Sequence, residues 1–365
     1  MREINVSTNE AGQRLDKLLR KYLKNANTSF IYKMLRKKNI VLNDKKVEGK
    51  EILNLGDSVK MYFSEDTFAT MTGRTGQNSG SAETNRAAAA SASAQTASAG
   101  KNSAQMRRGA SSGNSSERRD QRAFDVEEFR KHIVYEDENL LVLNKPVGWL
   151  SQSDASGLPS VNERCLQYLM ATGTLTEAQL QTFKPGIANR LDRNTSGLIL
   201  FGKTLPALQA LAGLLRDRTM EKYYLAIVCG DIDHAQRIDG YLAKDERTNR
   251  VEIRPQPFPD ATEIHTAYEP LKLSADYTVL KVHLITGKTH QIRAHLRAIG
   301  HPIIGDPKYG RKDANAYYRT HGGVKSQLLH AWELHFPENL DGPLRNLAGQ
   351  TITAEPPKDF RLFLK

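Results

Sequence analysis

The run Arg190-Leu191-Asp192-Arg193-Asn194-Thr195-Ser196-Gly197 places one carboxylate between two guanidinium groups. It leads directly into 197–201, small and branched apolar residues that read as a buried strand. Cations this near favour the ionised form of Asp192. An ionised carboxylate at the mouth of a core strand is a candidate nucleophile. On these residues alone, a capping or salt-bridging aspartate in a turn is the commoner reading.

The elements that must position this group follow from the surrounding pattern. From Phe124 the sequence reads as a folded body, with strands over 133–136 and 140–144 separated by the turn Asp137-Glu138-Asn139. Lys145-Pro146-Val147-Gly148 ends the second strand, because proline breaks the ladder and glycine permits a sharp turn. Helices are expected over 161–172 and 205–216, strands over 221–230 and 276–286, and a helix over 289–298 closed by Gly300. Many strands, few helices and no repeating βαβ order predict an α+β body over 124–365.

The N-terminal third has a different composition. Residues 1–66 carry 14 basic and 9 acidic groups and residues 67–123 carry 8 and 3, whereas 124–365 carry 30 and 29. The net charge of +11 therefore belongs almost wholly to the first 123 residues, which suggests a polyanion-binding attachment on a nearly neutral body. Within it, Leu15, Leu18, Leu19, Tyr22 and Leu23 mark one helical face. Thr28 or Ser29 can cap a second helix that buries Ile31, Met34 and Leu35. Lys33, Arg36, Lys37 and Lys38 crowd its other side and end, where cations also suit the helix dipole. A hairpin over 40–47 and a strand over 55–62 complete the module. Residues 67–123, rich in Ala, Ser and Gly and poor in large apolar groups, read as a disordered basic linker.

With 39% hydrophobic and 25% charged residues the composition is that of a soluble globular protein. No run reaches the roughly 20 apolar residues of a membrane span, and MREINVSTNEAGQRL has no apolar signal core. Cys165 and Cys229 lack metal-type spacing and are expected as reduced core residues of a cytoplasmic chain. His290 and His295, five apart, do not have the spacing of a zinc helix, and His321, His330 and His335 form no credible metal set either.

The order Arg14-Leu15-Asp16, basic second helix and late Gly56-Asp57 resembles the small α/β RNA-binding domain named after ribosomal protein S-four. That resemblance covers the module assigned to 1–66 and implies that Arg14, Lys33, Arg36, Lys37 and Lys38 contact RNA phosphates. The body resembles the RluA-type RNA pseudouridine synthases more specifically. The Arg190–Gly197 stretch looks like their catalytic motif, Lys222-Tyr223-Tyr224-Leu225-Ala226 like their Lys-x-Tyr-x-Ala strand, and Thr286-Gly287-Lys288-Thr289-His290-Gln291-Ile292-Arg293 like their third block. Asn144-Lys145-Pro146, Gly305-Asp306-Pro307 and Leu329-His330-Ala331 fit flanking segments.

The resemblance implies a central mixed, mostly antiparallel sheet flanked by helices and loops. It also implies an isomerase that cuts the bond from ribose to a uracil nitrogen, turns the base and rejoins it through carbon. That reaction needs no redox change, so no cofactor and no metal are expected. By match Asp192 is the catalytic carboxylate, acting as nucleophile or as base at the sugar. Arg293 pairs with it, and Tyr224 lies against the uracil and takes the final proton. Arg190, Lys222, Lys288 and Lys308 are the implied phosphate-binding groups. A uridine hidden in folded RNA is expected to be everted into the pocket. The expected partner is RNA, large-subunit ribosomal RNA by family analogy, with no membrane and the enzyme a monomer. Two positions depart from the family: Asn189 stands where many relatives have His, and Lys288 where they have Arg. The rival readings are an RNA-binding protein without turnover, and a glycosidase, for which the motif blocks offer no evident second carboxylate.

Overall fold

In the computed structural model, which describes residues 1–73, 124–245, 247–248 and 250–364, two sheets carry the chain. The small one comprises β1 (Arg2–Asn5), β2 (Ile40–Leu42) and β3 (Ser58–Met61) in the order β1-β3-β2, all antiparallel. Helices Leu15–Tyr22 and Thr28–Arg36 pack on it through Leu15, Leu18, Leu19, Ile31 and Leu35. The second helix starts one residue earlier than Thr28 capping would give, because Asn27 Oδ1 accepts the Phe30 N–H at 2.8 Å. The expected hairpin after residue 40 shrinks to one bridge, Leu42 to Lys45, over the left-handed pair Asn43 and Asp44. The partner that β2 takes along its length is β3.

The linker expected over 67–123 begins inside a helix, Glu65–Thr72, capped by Ser64 and anchored by buried Phe68. Phe68, helped by Met71, holds two turns against an existing core, and composition averaged over the stretch hides it. The rest of that expectation, 74–123, lies outside the described residues. Among the described residues the module meets the body through Glu10, Gly12 and Lys21. Thr182 Oγ1 donates to the Glu10 carboxylate, Gln209 Nε2 donates to Gly12 O at 3.4 Å, and the Lys21 ammonium lies 5.8 Å from the Phe183 ring centre.

The body is built on an 11-stranded sheet. Its strands are β4 (Ile133–Glu136), β5 (Leu140–Lys145), β6 (Gly186–Ile187), β7 (Ser196–Gly202), β8 (Glu221–Cys229), β9 (Gln236–Asp245), β10 (Arg250–Arg254), β11 (Thr262–Leu273), β12 (Tyr277–Leu284), β13 (Leu329–His335) and β14 (Thr351–Thr353). The main path runs β10-β9-β11-β12-β8-β13-β7-β5-β4, with β14 on β13 and β6 on β7. Only the β13–β7 pair is parallel, so the sheet is mixed and mostly antiparallel in an α+β fold. The strands β9, β10 and β11, in which β9 pairs with both others, were not expected from the sequence, since they alternate inward positions with exposed or half-buried ones and lack a continuous apolar run.

The central strands are buried on both faces, which is why they read as apolar runs. Ile199 and Phe201 of β7 join Tyr224, Ala226 and Val228 of β8 in one core. Leu198 and Leu200 face the other core, where Ala207 and Leu211 of helix Leu205–Asp217 cover them. The helix Gln291–Ala298 lies on the first face through Ile292 and Leu296. Gly197 makes the parallel pairing possible. It sits at φ +111°, and a Cβ there would meet Ala331 O of β13 at 2.1 Å. Free Cys165 and Cys229 are both buried, as expected. No helix among the described residues is long and apolar enough to cross a membrane.

Candidate active site

Asp192 sits in the loop that feeds β7, and several of its neighbours in that loop are tied down. The Thr195 N–H donates to Asp192 O at 3.0 Å. Ser151 Oγ donates to Leu191 O at 2.7 Å and accepts the Leu191 N–H at 3.0 Å. Asn189 Oδ1 accepts the Leu200 N–H at 2.8 Å while its Nδ2 donates to Leu198 O at 3.1 Å. The departure at 189 thus supplies a neutral staple between loop and strand. Lys145, fully buried, donates to Pro146 O, Trp149 O and Arg193 O at 3.0–3.1 Å. Burial pulls its ammonium down to about 7, and the charge of Asp192 opposes that. Three carbonyls matched to three donors favour the protonated form.

The side chain of Asp192 meets Arg293, whose Nη1 donates to Oδ2 at 2.7 Å. Arg293 is 4% exposed because its helix is pressed against the sheet. Its other edge is held by Asp306, with Nε to Oδ2 at 2.7 Å and Nη2 to Oδ1 at 2.9 Å. Burial disfavours the guanidinium charge, but the bonds to Asp306 and then the charge of Asp192 outweigh it, so the pKa rises. Asp306 also accepts the N–H groups of Lys308 and Tyr309 at 2.8 and 3.0 Å. Burial alone would raise its carboxyl, yet Arg293 and these N–H groups hold it below the usual range. Asp306 is therefore sealed behind the guanidinium and shaped for holding it. It cannot serve as the exposed acid a two-carboxylate glycosidase needs.

Tyr224, on β8, lines the same cleft and is 7% exposed. Burial, and secondarily the charge of Asp192, push its phenol up, so the resting enzyme carries it as a neutral hydroxyl. His290 caps the Arg293 helix in a left-handed conformation, φ +54°. Its Nδ1 lies 3.0 Å from Tyr309 Oη, and its Nε2 lies 3.9 Å from Asp192 Oδ2. Tyr309 Oη accepts the Val251 N–H at 3.0 Å. Burial lowers the pKa of His290 against the pull of Asp192, which leaves the ring neutral. A non-glycine residue strained into this region beside a carboxylate is a mark of a working site.

Asp192, Tyr224, His290 and Arg293 line one cleft of about 1000 Å³. It brings together Asp192, Tyr224, Arg293, Arg190, Lys222, Lys288 and Lys308, all expected from the sequence. Lys222 is only 8% exposed, so it lines the wall where a free surface cation was expected. Arg193, Arg216, Arg218 and Lys244 line the cleft as well, giving nine cations against the two carboxylates Asp154 and Asp192. The last three cations, with His290, Asp306 and Tyr309, had no role in the sequence reading. Arg14, Lys33, Arg36, Lys37 and Lys38 lie apart from it in the small module, four of them exposed. Arg14 is half-buried against Asp16, with Nε–Oδ1 and Nη2–Oδ2 distances of 3.1 and 3.0 Å. Among the described residues no group of three or more His, Cys, Asp or Glu could hold a metal ion.

A cationic cleft around a carboxylate suits a polyanionic substrate. The model of the RNA pseudouridylate synthase family matches residues 139–298. Ribosomal large subunit pseudouridine synthase C of Pasteurella multocida is 30% identical over 342 residues, 91% of this chain and 85% of that protein. Ribosomal large subunit pseudouridine synthase D of Zymomonas mobilis is 33% identical over 234 residues, 64% of this chain and 71% of that protein. The solved structure of human RNA pseudouridylate synthase domain containing 4 aligns with a TM-score of 0.51 at 21% identity, covering 65% of this chain and 92% of that one, a likeness of fold. The chain belongs to the RluA-type RNA pseudouridine synthases, isomerases that convert uridine in RNA to pseudouridine.

Proposed function

We propose that Asp192 is the catalytic carboxylate of this isomerase and that its substrate is a uridine of large-subunit ribosomal RNA. The observation that carries the first part is the 2.7 Å bond from Arg293 to Asp192 in a cleft where cations outnumber carboxylates nine to two. The names of the relatives in Pasteurella multocida and Zymomonas mobilis support the second part.

In this reading the cleft cations hold the phosphates that flank an everted uridine, and Tyr224 packs against the uracil. Asp192 then acts at the ribose by one of two routes, attack on the anomeric carbon or removal of a sugar proton. Either way the glycosidic electron pair leaves with the uracil, which turns and rejoins through carbon 5. The proton on that carbon goes to a base. Tyr224 is near enough to serve only if the substrate's own developing charge first draws off its hydroxyl proton, because burial opposes the free phenolate. Arg293, locked by Asp306, aims Asp192 at the sugar. Residues 1–66 act as the RNA-binding module, with Lys33, Arg36, Lys37 and Lys38 on phosphates.

The test is a map of pseudouridines in cellular RNA from cells lacking the gene, complemented with wild type or with Asp192→Asn. A large-subunit position restored by wild type and not by Asp192→Asn supports the proposal. Restoration of that position by Asp192→Asn refutes the role of the residue. Loss confined to transfer RNA refutes the substrate.

A further inference from the structure

Gln327 lies in the segment before β13, 3% exposed, and lines the cleft with Tyr224, Thr195 and Asp192. One end of its amide is occupied, since Nε2 donates to Thr195 Oγ1 at 3.3 Å. The other end, Oε1, is buried and has no hydrogen-bond partner. Four buried side-chain atoms among the described residues share that condition, on Gln13, Arg164, His295 and Gln327, and only Gln327 belongs to the cleft. A buried amide oxygen left unpaired is costly, and in a binding cleft its missing partner is the ligand.

Uracil presents two carbonyl acceptors with one donor, N3–H, between them. Cations are plentiful in the cleft and can serve the carbonyls. Among the cleft's side-chain acceptors, Gln327 Oε1 is the one both buried and without a partner. Asn189 Oδ1 is spent on the Leu200 N–H, and Gln291 Oε1 on the Thr286 hydroxyl and the Lys288 N–H. Asp192 is committed to Arg293. We infer that Gln327 Oε1 accepts the N3–H of the everted uracil, and so selects uracil over cytosine, whose N3 carries no hydrogen. This rests on the reading of the Asp192–Tyr224 cleft as the uridine site.

The reaction gives this contact a second use. Turning the base to exchange nitrogen 1 with carbon 5 is a half-rotation about the line through N3 and carbon 6. The N3–H bond lies on that axis. One acceptor can therefore keep hold of the detached uracil throughout the turn, while the two carbonyls trade places among the cleft donors. No bond to Gln327 forms or breaks covalently, and its amide exchanges no proton.

The experiment uses the full-length enzyme and an RNA substrate carrying uridine tritiated at carbon 5, or its N3-methyl analogue, at the modified position. Gln327→Met fills the same space without an acceptor and should lower kcat/KM on uridine by about 10- to 100-fold while leaving RNA affinity unchanged. Gln327→Ala makes room for the methyl group and should shrink the wild-type preference for uridine over N3-methyluridine by at least about tenfold. An unchanged preference in Gln327→Ala, or equal losses on both substrates in both variants, overturns the inference and leaves Gln327 a packing residue. The parent reading is judged separately, by wild type and Asp192→Asn on uridine alone.

Discussion

Asp306 and Asp192 hold the same guanidinium by different edges: Asp306 takes Nε and Nη2 of Arg293, and Asp192 takes Nη1. The buried partner fixes the arginine, and the arginine presents one donor to the partner that faces the cleft. Removing Asp306 leaves a buried guanidinium half unpaired. Asp306→Ala should lower stability by about 3–5 kcal/mol, as breaking a buried pair does, and should also depress kcat more than RNA affinity. Denaturant titration and 5-tritium release read the two effects. A variant as stable and as fast as wild type would show that Arg293 needs no second carboxylate.

Gly197→Ala should be the most damaging single-methyl change in the body. The added Cβ would sit 2.1 Å from Ala331 O, at a backbone angle that L-residues avoid. Both strands are central, so neither can retreat cheaply. The expected loss is at least about 2–3 kcal/mol, seen as a fall in the denaturation midpoint. A shift within the scatter of wild type would contradict the parallel β13–β7 register.

His330 predicts the acid sensitivity of the fold. Its Nε2 lies 3.0 Å from Ala354 O, and its Nδ1 is paired with Ser196 Oγ at 2.9 Å, the arrangement of a neutral ring. Burial pushes it down to about 4, against the Ala354 bond, and burial likewise pushes His295 down to about 4. The unfolded chain takes up these protons near the ordinary value of 6.5, so stability is full above that pH and is lost as pH falls from 6.5 toward 4. Each histidine contributes up to roughly 3 kcal/mol across that window. Melting curves from pH 7.5 to 4.5 should steepen below 6.5, and His330→Gln should flatten the dependence. Equal slopes in wild type and variant would remove His330 from the account.

Replacing Lys33, Arg36, Lys37 and Lys38 by Gln should weaken RNA binding and lower the slope of log affinity against log salt. The expected reduction is about 0.7–0.9 for each phosphate contact removed. Turnover at saturating RNA should not change, because none of the four lies in the cleft. An unaltered salt slope would mean that the basic helix end is solvated surface.

The sequence made the catalytic strand and its partners legible for a physical reason. Strands buried on both faces, such as β5, β7 and β8, carry few polar residues, and those sit at their ends, so they stand out as apolar runs. The Asp192 loop and the helix of Arg293 were marked by motif spacing. Their meeting across 101 residues is tertiary, and only the matched blocks pointed to it. Asp306 was noticed only as part of a flanking segment, because an aspartate before proline looks like any turn and its bonds to Arg293 require two elements in place. His290 read as structural or RNA-adjacent, and its left-handed backbone has no signature in residue type. The strands β9, β10 and β11 and the helix Glu65–Thr72 were hidden by alternating or polar composition. Asn189 read only as a departure from the family, and its two bonds to the backbone of β7 require the folded strand in place.

The central claim is that one carboxylate does the chemistry, and the most direct measurement is 5-tritium release from labelled ribosomal RNA transcripts by purified wild type and Asp192→Asn. The variant keeps shape and hydrogen-bonding capacity but cannot attack or deprotonate a sugar. The account predicts RNA binding close to wild type with release reduced to background. Release at the wild-type rate would contradict it.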